Sequence, residues 1–276
     1  MDADHPGARP LTAVVLAAGS GTRMRSQLPK VLQPVAGRPI VLHVLHAIRD
    51  AGLRDVVVVV GEQEDRVRPA IEAAAPDGLN LAFVRQPKPL GTADALLQAR
   101  AAVTSNELLV LNGDLALLTA AHLQPLLDAA PSRCALATAT VADPTGLGRV
   151  VRRSDGTVAA IVEEAVADPA TLEIQEINTG IYRFNAAWLW RALSTLEPSK
   201  GGETYITDVI TNLCAGGEHA PGDLIALPLQ QQDGPLNVEN RRDLARAEAV
   251  MQRRIRERWL DHGVTIVDPA AVYIDA

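Results

Sequence analysis

Three short segments of this chain concentrate the residue types that handle phosphate and metal. The first is Leu16-Ala17-Ala18-Gly19-Ser20-Gly21-Thr22-Arg23-Met24, followed by Leu28-Pro29-Lys30. Glycines let a backbone bend closely around a ligand, and its N–H groups then hold anionic oxygens. Arg23 can grip a phosphate through two nitrogens, and Lys30 supplies a compact positive charge. A bare Gly-x-Gly reads as an ordinary βα turn with solvated basic neighbours. The added Thr-Arg-Met and Leu-Pro-Lys favour a phosphate loop. It is neither common phosphate motif: the dinucleotide fingerprint needs glycine at position 24, and the P-loop ends in Gly-Lys-Ser/Thr. The second segment is Gln86 with Leu90-Gly91-Thr92-Ala93, where a helix starts. A helix N-terminus offers free N–H donors, and Gln86 can both donate and accept, as reading a base edge requires. A lone Gly-Thr cap is more often structural. The third is Asn112-Gly113-Asp114, directly after an apolar run. It is either an Asx turn or a carboxylate placed for Mg²⁺, a hard ion that binds few protein carboxylates plus substrate phosphates. The neighbouring phosphate loop tips the reading toward metal.

These segments need a frame that brings them to one rim. Leu11–Leu16, Asp55–Val60, Leu79–Val84, Leu108–Leu111 and Cys134–Val141 are short apolar runs that predict buried strands. Between them, 40–51, 64–75, 92–103 and 119–129 carry helical periodicity. Strands alternating with helices imply a doubly wound α/β fold with a mainly parallel, Rossmann-like sheet. In such sheets ligands bind at the carboxyl ends of the strands, where all three segments fall. The rhythm then changes. Residues 148–153 and 157–163 flank Asp155-Gly156, a tight-turn dipeptide, and predict a small antiparallel β insertion lying over the sheet. A strand at 177–184, helices at 186–195 and 205–215, a strand at 224–227 and a long helix at 241–260 complete the prediction. The expected division is a flexible tail (1–10), one catalytic domain (11–262) and an extended C-terminal segment (263–276).

The 276 residues carry a net charge of −7, which argues against general nucleic-acid binding. No signal-like core or membrane-spanning run is visible, so a cytoplasmic chain is expected. Cys134 and Cys214 show no metal-ligand spacing and read as buried, reduced thiols. His43 and His46 could share a helix face, but further ligands are missing, so packing or surface roles are expected. Seven arginines between 241 and 258 alternate with acids and read as a solvated helix face. Trp188, Trp190 and Trp259 read as packing residues.

The same segments, in this order, resemble the uridyltransferase domain of the bacterial bifunctional N-acetylglucosamine-1-phosphate uridyltransferase/glucosamine-1-phosphate acetyltransferases. The resemblance runs from about Leu11 to Tyr273. Leu-Ala-Ala-Gly-x-Gly-Thr-Arg-Met with Leu-Pro-Lys marks the wider sugar-nucleotide pyrophosphorylases. Narrower signals are Asp143-Pro144-Thr145-Gly146-Leu147-Gly148-Arg149, Ile161-Val162-Glu163, Glu176-Ile177-Asn178-Thr179-Gly180 and Glu203-Thr204-Tyr205-Ile206-Thr207-Asp208. Gly263-Val264-Thr265-Ile266-Val267-Asp268-Pro269 with Tyr273-Ile274-Asp275 resembles the family's junction into a β-helix, a domain this chain is expected to lack. The resemblance implies Mg²⁺-dependent transfer of UMP from UTP to N-acetylglucosamine 1-phosphate. It implies that Leu16, Ala17, Ala18 and Gly19 hold the uridine, that Gln86 and Gly91 read the base beside Thr92, and that Arg23 and Lys30 act on the triphosphate. Asn112 and Gly113 would lie near the ribose, Asp114 would bind the metal, and Gly148, Glu163 and Asn178 would contact the amino sugar. Without the β-helix a monomer or weak oligomer is expected.

Two positions depart from the family. A second metal ligand, usually Asn, aligns with Glu239 in Val238-Glu239-Asn240-Arg241, while a slip would place Asn237 or Asn240 there. Ala165 stands where the family usually has Lys. These departures keep two alternatives open: a different sugar-1-phosphate nucleotidyltransferase, or a sugar-nucleotide-binding protein with impaired catalysis.

Overall fold

The apolar runs form strands because aliphatic and β-branched side chains pack well on a pleated surface covered on both faces. A computed structural model gives their arrangement and describes residues 11–198, 202–216, 222–229 and 234–276. The expected N-terminal tail, 1–10, lies outside the described residues. The chain begins with β1 (Leu11–Ala17), a two-residue ladder of β2 (Pro34–Val35) with β3 (Arg38–Pro39), and α1 (Ile40–Asp50). It continues through β4 (Asp55–Val60), α2 (Glu64–Ala74), β5 (Asn80–Arg85), α3 (Thr92–Gln98), β6 (Glu107–Asn112), α4 (Ala120–Leu127) and β7 (Cys134–Thr140). Then come β8 (Arg149–Arg152), β9 (Val158–Val162), one turn α5 (Pro169–Leu172), β10 (Glu176–Asn185), α6 (Ala186–Ser194), α7 (Ile206–Ala215), β11 (Leu224–Pro228) and α8 (Arg241–Asp261).

The main sheet has the order β11-β7-β10-β6-β1-β4-β5. Along that path every strand runs parallel to the rest except β10, which is antiparallel to both β6 and β7. One core packs α1, α2, α4 and α8 against one face, and a second packs α3, α6 and α7 against the other. The doubly wound, mainly parallel arrangement is therefore present. The β8–β9 hairpin differs from expectation. Instead of lying over the sheet, β8 joins it by pairing with the start of β10, Ile177 against Arg149. The reason is direction: the hairpin hands the chain over at the carboxyl edge, so β10 enters the sheet where its neighbours end. The helix expected at 92–103 ends at Gln98, and a 3₁₀ turn follows over Ala99–Ala102.

The segment after α8 folds back onto it. Ile274 bonds the Gln252 side chain through both its N–H and its carbonyl, at 2.8 and 3.0 Å. The expected solvated arginine face is only partly realised. Arg241, Arg246, Arg254 and Arg256 donate to carbonyls of Met24, of Pro235 and Asn237, of Leu117 and of Val272. A guanidinium has five donors and readily serves loop carbonyls that no helix or strand satisfies. Trp188 stacks near Phe184, whereas Trp259 is exposed with Arg258 over its ring. Cys134 and Cys214 are buried free thiols. Among the described residues no helix is long and apolar enough to cross a membrane.

The reversed strand is locked by charge. Arg183 on β10 makes two bonds to Glu107 on β6, at 2.8 and 2.7 Å, and donates to the Leu126 and Ala129 carbonyls, both at 2.9 Å. Removing one partner of such a buried pair strands the other charge. Arg183→Met is expected to lower stability by about 3–5 kcal/mol in urea titration, and an unchanged midpoint would refute this role. His43 is buried with Nε2 on the Val35 carbonyl at 2.8 Å, and half-buried His46 lies nearby. Burial, with Arg38 and Arg49, lowers the His46 pKa from 6.5 to about 4. Above pH 6.5 neither folded nor unfolded chain protonates this ring, whereas below it only the unfolded chain does until about pH 4. Stability is therefore expected to fall as pH drops through that window, and thermal melts of His46→Gln should show a shallower fall.

Candidate active site

The rim begins where β1 and β6 end side by side, with Leu16 in register with Asn112. Gly113 N–H donates to the Leu16 carbonyl at 2.9 Å, and a Cβ on Gly113 would lie 2.8 Å from that oxygen. Only glycine allows so close an approach of two backbones. Leu16 itself sends its side chain into the core, so its backbone alone reaches the rim. Beyond it, Ala17, Ala18, Gly19, Ser20, Pro29, Gln63 and Gln86 line a cavity of about 110 Å³.

Gly21 adopts φ +61° and starts a 3₁₀ turn over Thr22–Met24 that ends at Arg25, also left-handed. The turn brings Arg23 to the surface and leads to Lys30 at the head of a second 3₁₀ turn. Lys30 Nζ lies 2.5 Å from Asp114 Oδ2 and 3.2 Å from Glu239 Oε1. Arg23 Nη1 lies 3.4 Å from Glu239 Oε2 and is largely exposed. Of the three residues the sequence left open, Glu239 shares Lys30 with Asp114 through its side chain. Asn240 instead caps α8, its side chain accepting from Arg242 and Asp243 N–H. Asn237 offers its carbonyl to Arg246 at 3.0 Å. Val238 N–H donates to the Asp114 carbonyl at 3.0 Å, and Asp243 accepts from Glu239 N–H at 3.0 Å. The chain before α8 is thus pinned to the turn after β6.

Burial works to lower the Lys30 pKa, but Asp114 and Glu239 together outweigh it and hold the ammonium above its ordinary value. Burial and the Asp114 charge raise the Glu239 pKa against the pull of Lys30. Asp114 Oδ1 is buried with no hydrogen-bond partner. Two hard carboxylates, one with an oxygen left over, fit a divalent cation of the Mg²⁺ type. Among the described residues no group of three or more His, Cys, Asp or Glu could hold a metal ion, so water or substrate oxygens would have to complete such a site.

Gln86 is buried, and its amide nitrogen donates to the Gly91 carbonyl at 3.0 Å and to Asp94 at 2.8 Å. Gly91 has φ +97°, and a Cβ there would lie 2.1 Å from the Thr204 carbonyl. The Thr92 hydroxyl accepts from Ile206 N–H at 3.1 Å. Gly91 and Thr92 therefore dock the segment before α7 onto the start of α3, and the Thr92 side chain is engaged there. Gly148, Glu163 and Asn178 do come together. Gly148 accepts from Asn178 N–H at 2.9 Å, and a Cβ on Gly148 would meet Glu163 Oε2 at 3.3 Å. Glu163 accepts from the Thr207 hydroxyl at 3.1 Å, while burial raises its pKa. The Asn178 amide donates to the Tyr182 hydroxyl at 2.6 Å. Gly180, at φ +75°, lets the Asn112 side chain pass: a Cβ there would sit 2.3 Å from Asn112 Nδ2. Asn112, two residues before Asp114, thus lies against the part of β10 that follows Asn178.

Residues the sequence reading passed over complete the site. Asp94 holds Gln86, and its place in a helix's first turn was the available signal. Glu164 holds the 143–149 loop through Gly146 N–H at 2.6 Å and Arg149 at 3.1 Å. Arg241 ties α8 to the first loop through Met24 O at 3.1 Å and Gln33 Oε1 at 3.0 Å. These contacts span from 8 to 217 positions, and no local pattern announces the longer ones.

Known proteins with related chains give this geometry a context. Proteins named bifunctional protein GlmU share 41% identity over 268 residues in Heliobacterium modesticaldum and 42% over 265 residues in Pseudomonas putida. Those matches cover 95% and 94% of this chain and 56% of each relative, so the chain spans about half the length of the curated relatives it matches. A crystal structure from Bacillus anthracis, described as a glucose-1-phosphate thymidylyltransferase in complex with sucrose, superposes with a TM-score of 0.70. It covers 87% of this chain and 95% of its own at 20% identity, and so speaks to the fold. The model of the nucleotidyl transferase family matches residues 12–263, over the sheet and the rim just described, and the chain belongs to that family.

Proposed function

We propose that this chain transfers UMP from UTP to N-acetylglucosamine 1-phosphate, giving UDP-N-acetylglucosamine and pyrophosphate. The observation that carries the reading is the convergence of Lys30, Arg23, Asp114 and Glu239 beside the glycine-lined rim. The narrower motif resemblance supports uracil and the amino sugar as the substrates.

The chemistry is in-line displacement. A sugar-phosphate oxygen bonds to the α-phosphorus as the bond from that phosphorus to the bridging oxygen breaks, and pyrophosphate leaves with the electron pair. No enzyme nucleophile is needed, so positioning and charge neutralisation carry catalysis. The backbone from Leu16 to Gly19 holds the nucleoside, and Gln86, fixed by Asp94 and Gly91, faces the cavity where a base would lie. Asn112 and Gly113 sit at the ribose side. Arg23 and Lys30 neutralise the triphosphate. Asp114 and Glu239 would hold Mg²⁺, which supplies further neutralisation of phosphate charge. Glu163 accepts from sugar hydroxyl or amide groups, with Asn178 and the Gly148 backbone beside it. Thr92 lies beside Gly91, its hydroxyl accepting from Ile206 N–H at the start of α7 and keeping its own O–H to donate to the nucleotide.

A second reading is a related transferase with another base or sugar. Ala165 in place of a cation motivates it, as does the shared fold with a protein described as a thymidylyltransferase. Pyrophosphate release from UTP and N-acetylglucosamine 1-phosphate, beside dTTP, CTP and GTP and other sugar phosphates, separates the two. A preference for UTP is expected, and equal use of all four nucleotides would remove the uracil assignment. Asp114→Ala and Lys30→Ala should each lower kcat/KM by about 100-fold or more. Chelation should abolish turnover and Mg²⁺ restore it. UDP-N-acetylglucosamine binding without any turnover would point to a binding protein instead.

A further inference from the structure

Four charges meet at the rim, two positive (Arg23, Lys30) and two negative (Asp114, Glu239), and they balance before any ligand is considered. The balance is achieved through Lys30. Its ammonium touches both carboxylates, and its side chain is only 13% exposed. Yet the pairing is incomplete, since Asp114 Oδ1 is buried without a partner. An ammonium offers three N–H donors and no further positive charge, whereas a divalent cation would engage more carboxylate oxygens at shorter distance. Both cannot occupy the space between the carboxylates, because like charges at such separations repel strongly in a partly buried site. A lysine side chain has a flexible four-carbon stem, so it can leave without moving the backbone.

We propose that Lys30 is an exchangeable counter-ion. Lys30 holds Asp114 and Glu239 in the ligand-free chain. When a divalent cation takes those carboxylates, Lys30 is released and turns its charge toward the anionic nucleotide. Glu239 makes the exchange favourable, because it supplies a second negative charge where the resembled family usually carries a neutral amide. The free chain therefore binds a divalent cation without nucleotide. This inference rests on the metal assignment in the proposed reaction, though not on the identity of base or sugar.

Mn²⁺ binding to the nucleotide-free chain, followed by electron paramagnetic resonance or calorimetry, gives the first readout. Binding should weaken about tenfold or more in Glu239→Gln and be lost in Asp114→Asn. Acetylation of Lys30 by an N-hydroxysuccinimide ester, read by peptide mass spectrometry, gives the second. The chain has three lysines, and exposed Lys88 serves as the internal reference. Saturating Mn²⁺ should raise Lys30 labelling severalfold and leave Lys88 unchanged. Lys30→Met should bind Mn²⁺ more tightly than the parent chain. Unchanged Lys30 labelling, equal Mn²⁺ affinity in Glu239→Gln, or no Mn²⁺ binding without nucleotide would each overturn the exchange. Uridylyl transfer by the same preparation keeps the two readings apart: turnover with no exchange sinks only this inference, and exchange with no turnover sinks only the proposed reaction.

Discussion

An ammonium wedged between two carboxylates is stable only if three stretches of chain, far apart in sequence, are held at one point. Lys30 comes from the loop after β1, Asp114 from the turn after β6, and Glu239 from the approach to α8. A buried carboxylate beside a half-buried one would repel it and lose hydration without the cation between them. The surrounding structure can be understood as what keeps that grouping in register. Val238 bonds the Asp114 backbone, Asp243 holds the Glu239 N–H, and Arg241 clasps the loop carrying Arg23. A site built this way is charged and ready for polyanions, while its side chains are already oriented by neighbours.

The sheet contributes by crowding backbones at its carboxyl edge. Gly113 lies against Leu16, and Gly61 lies so near Ala18 that a Cβ would be 2.5 Å from its carbonyl. At these two contacts no side chain fits between the backbones, which leaves N–H groups and small residues there to face a ligand. The reversal of β10 adds the second half of the site. Because β10 starts at the edge where β6 and β7 finish, Gly180 arrives beside Asn112 and Asn178 pairs with Thr138 of β7. The Arg183–Glu107 pair anchors the opposite end of that strand. One antiparallel strand in a parallel sheet thus joins a phosphate-handling group to a hydroxyl-binding one.

Much of this was legible in the residues themselves. Apolar runs such as Asp55–Val60 and the glycine turns after them depend on local chemistry: side-chain volume, branching and permitted φ. They marked the strands, the helices between them and the three segments at strand ends, including Arg23, Lys30 and Asp114. Other features had no local signature. Among Asn237, Glu239 and Asn240, the cap that Asn240 places on α8 and the ion pair of Glu239 with Lys30 both depend on contacts that only the folded chain makes. The Thr92 hydroxyl accepts from Ile206 N–H, 114 positions away, a contact that no local pattern announces. The hairpin's place within the sheet followed from the direction of β10, which neighbouring strands decide. Residue type and spacing therefore determined which groups were available for chemistry, since those depend on short-range sterics and charge. Only the tertiary structure decided which groups remain free to meet a ligand and which are used up internally, because hydrogen-bond partners are allotted among residues that are close in space and distant in sequence.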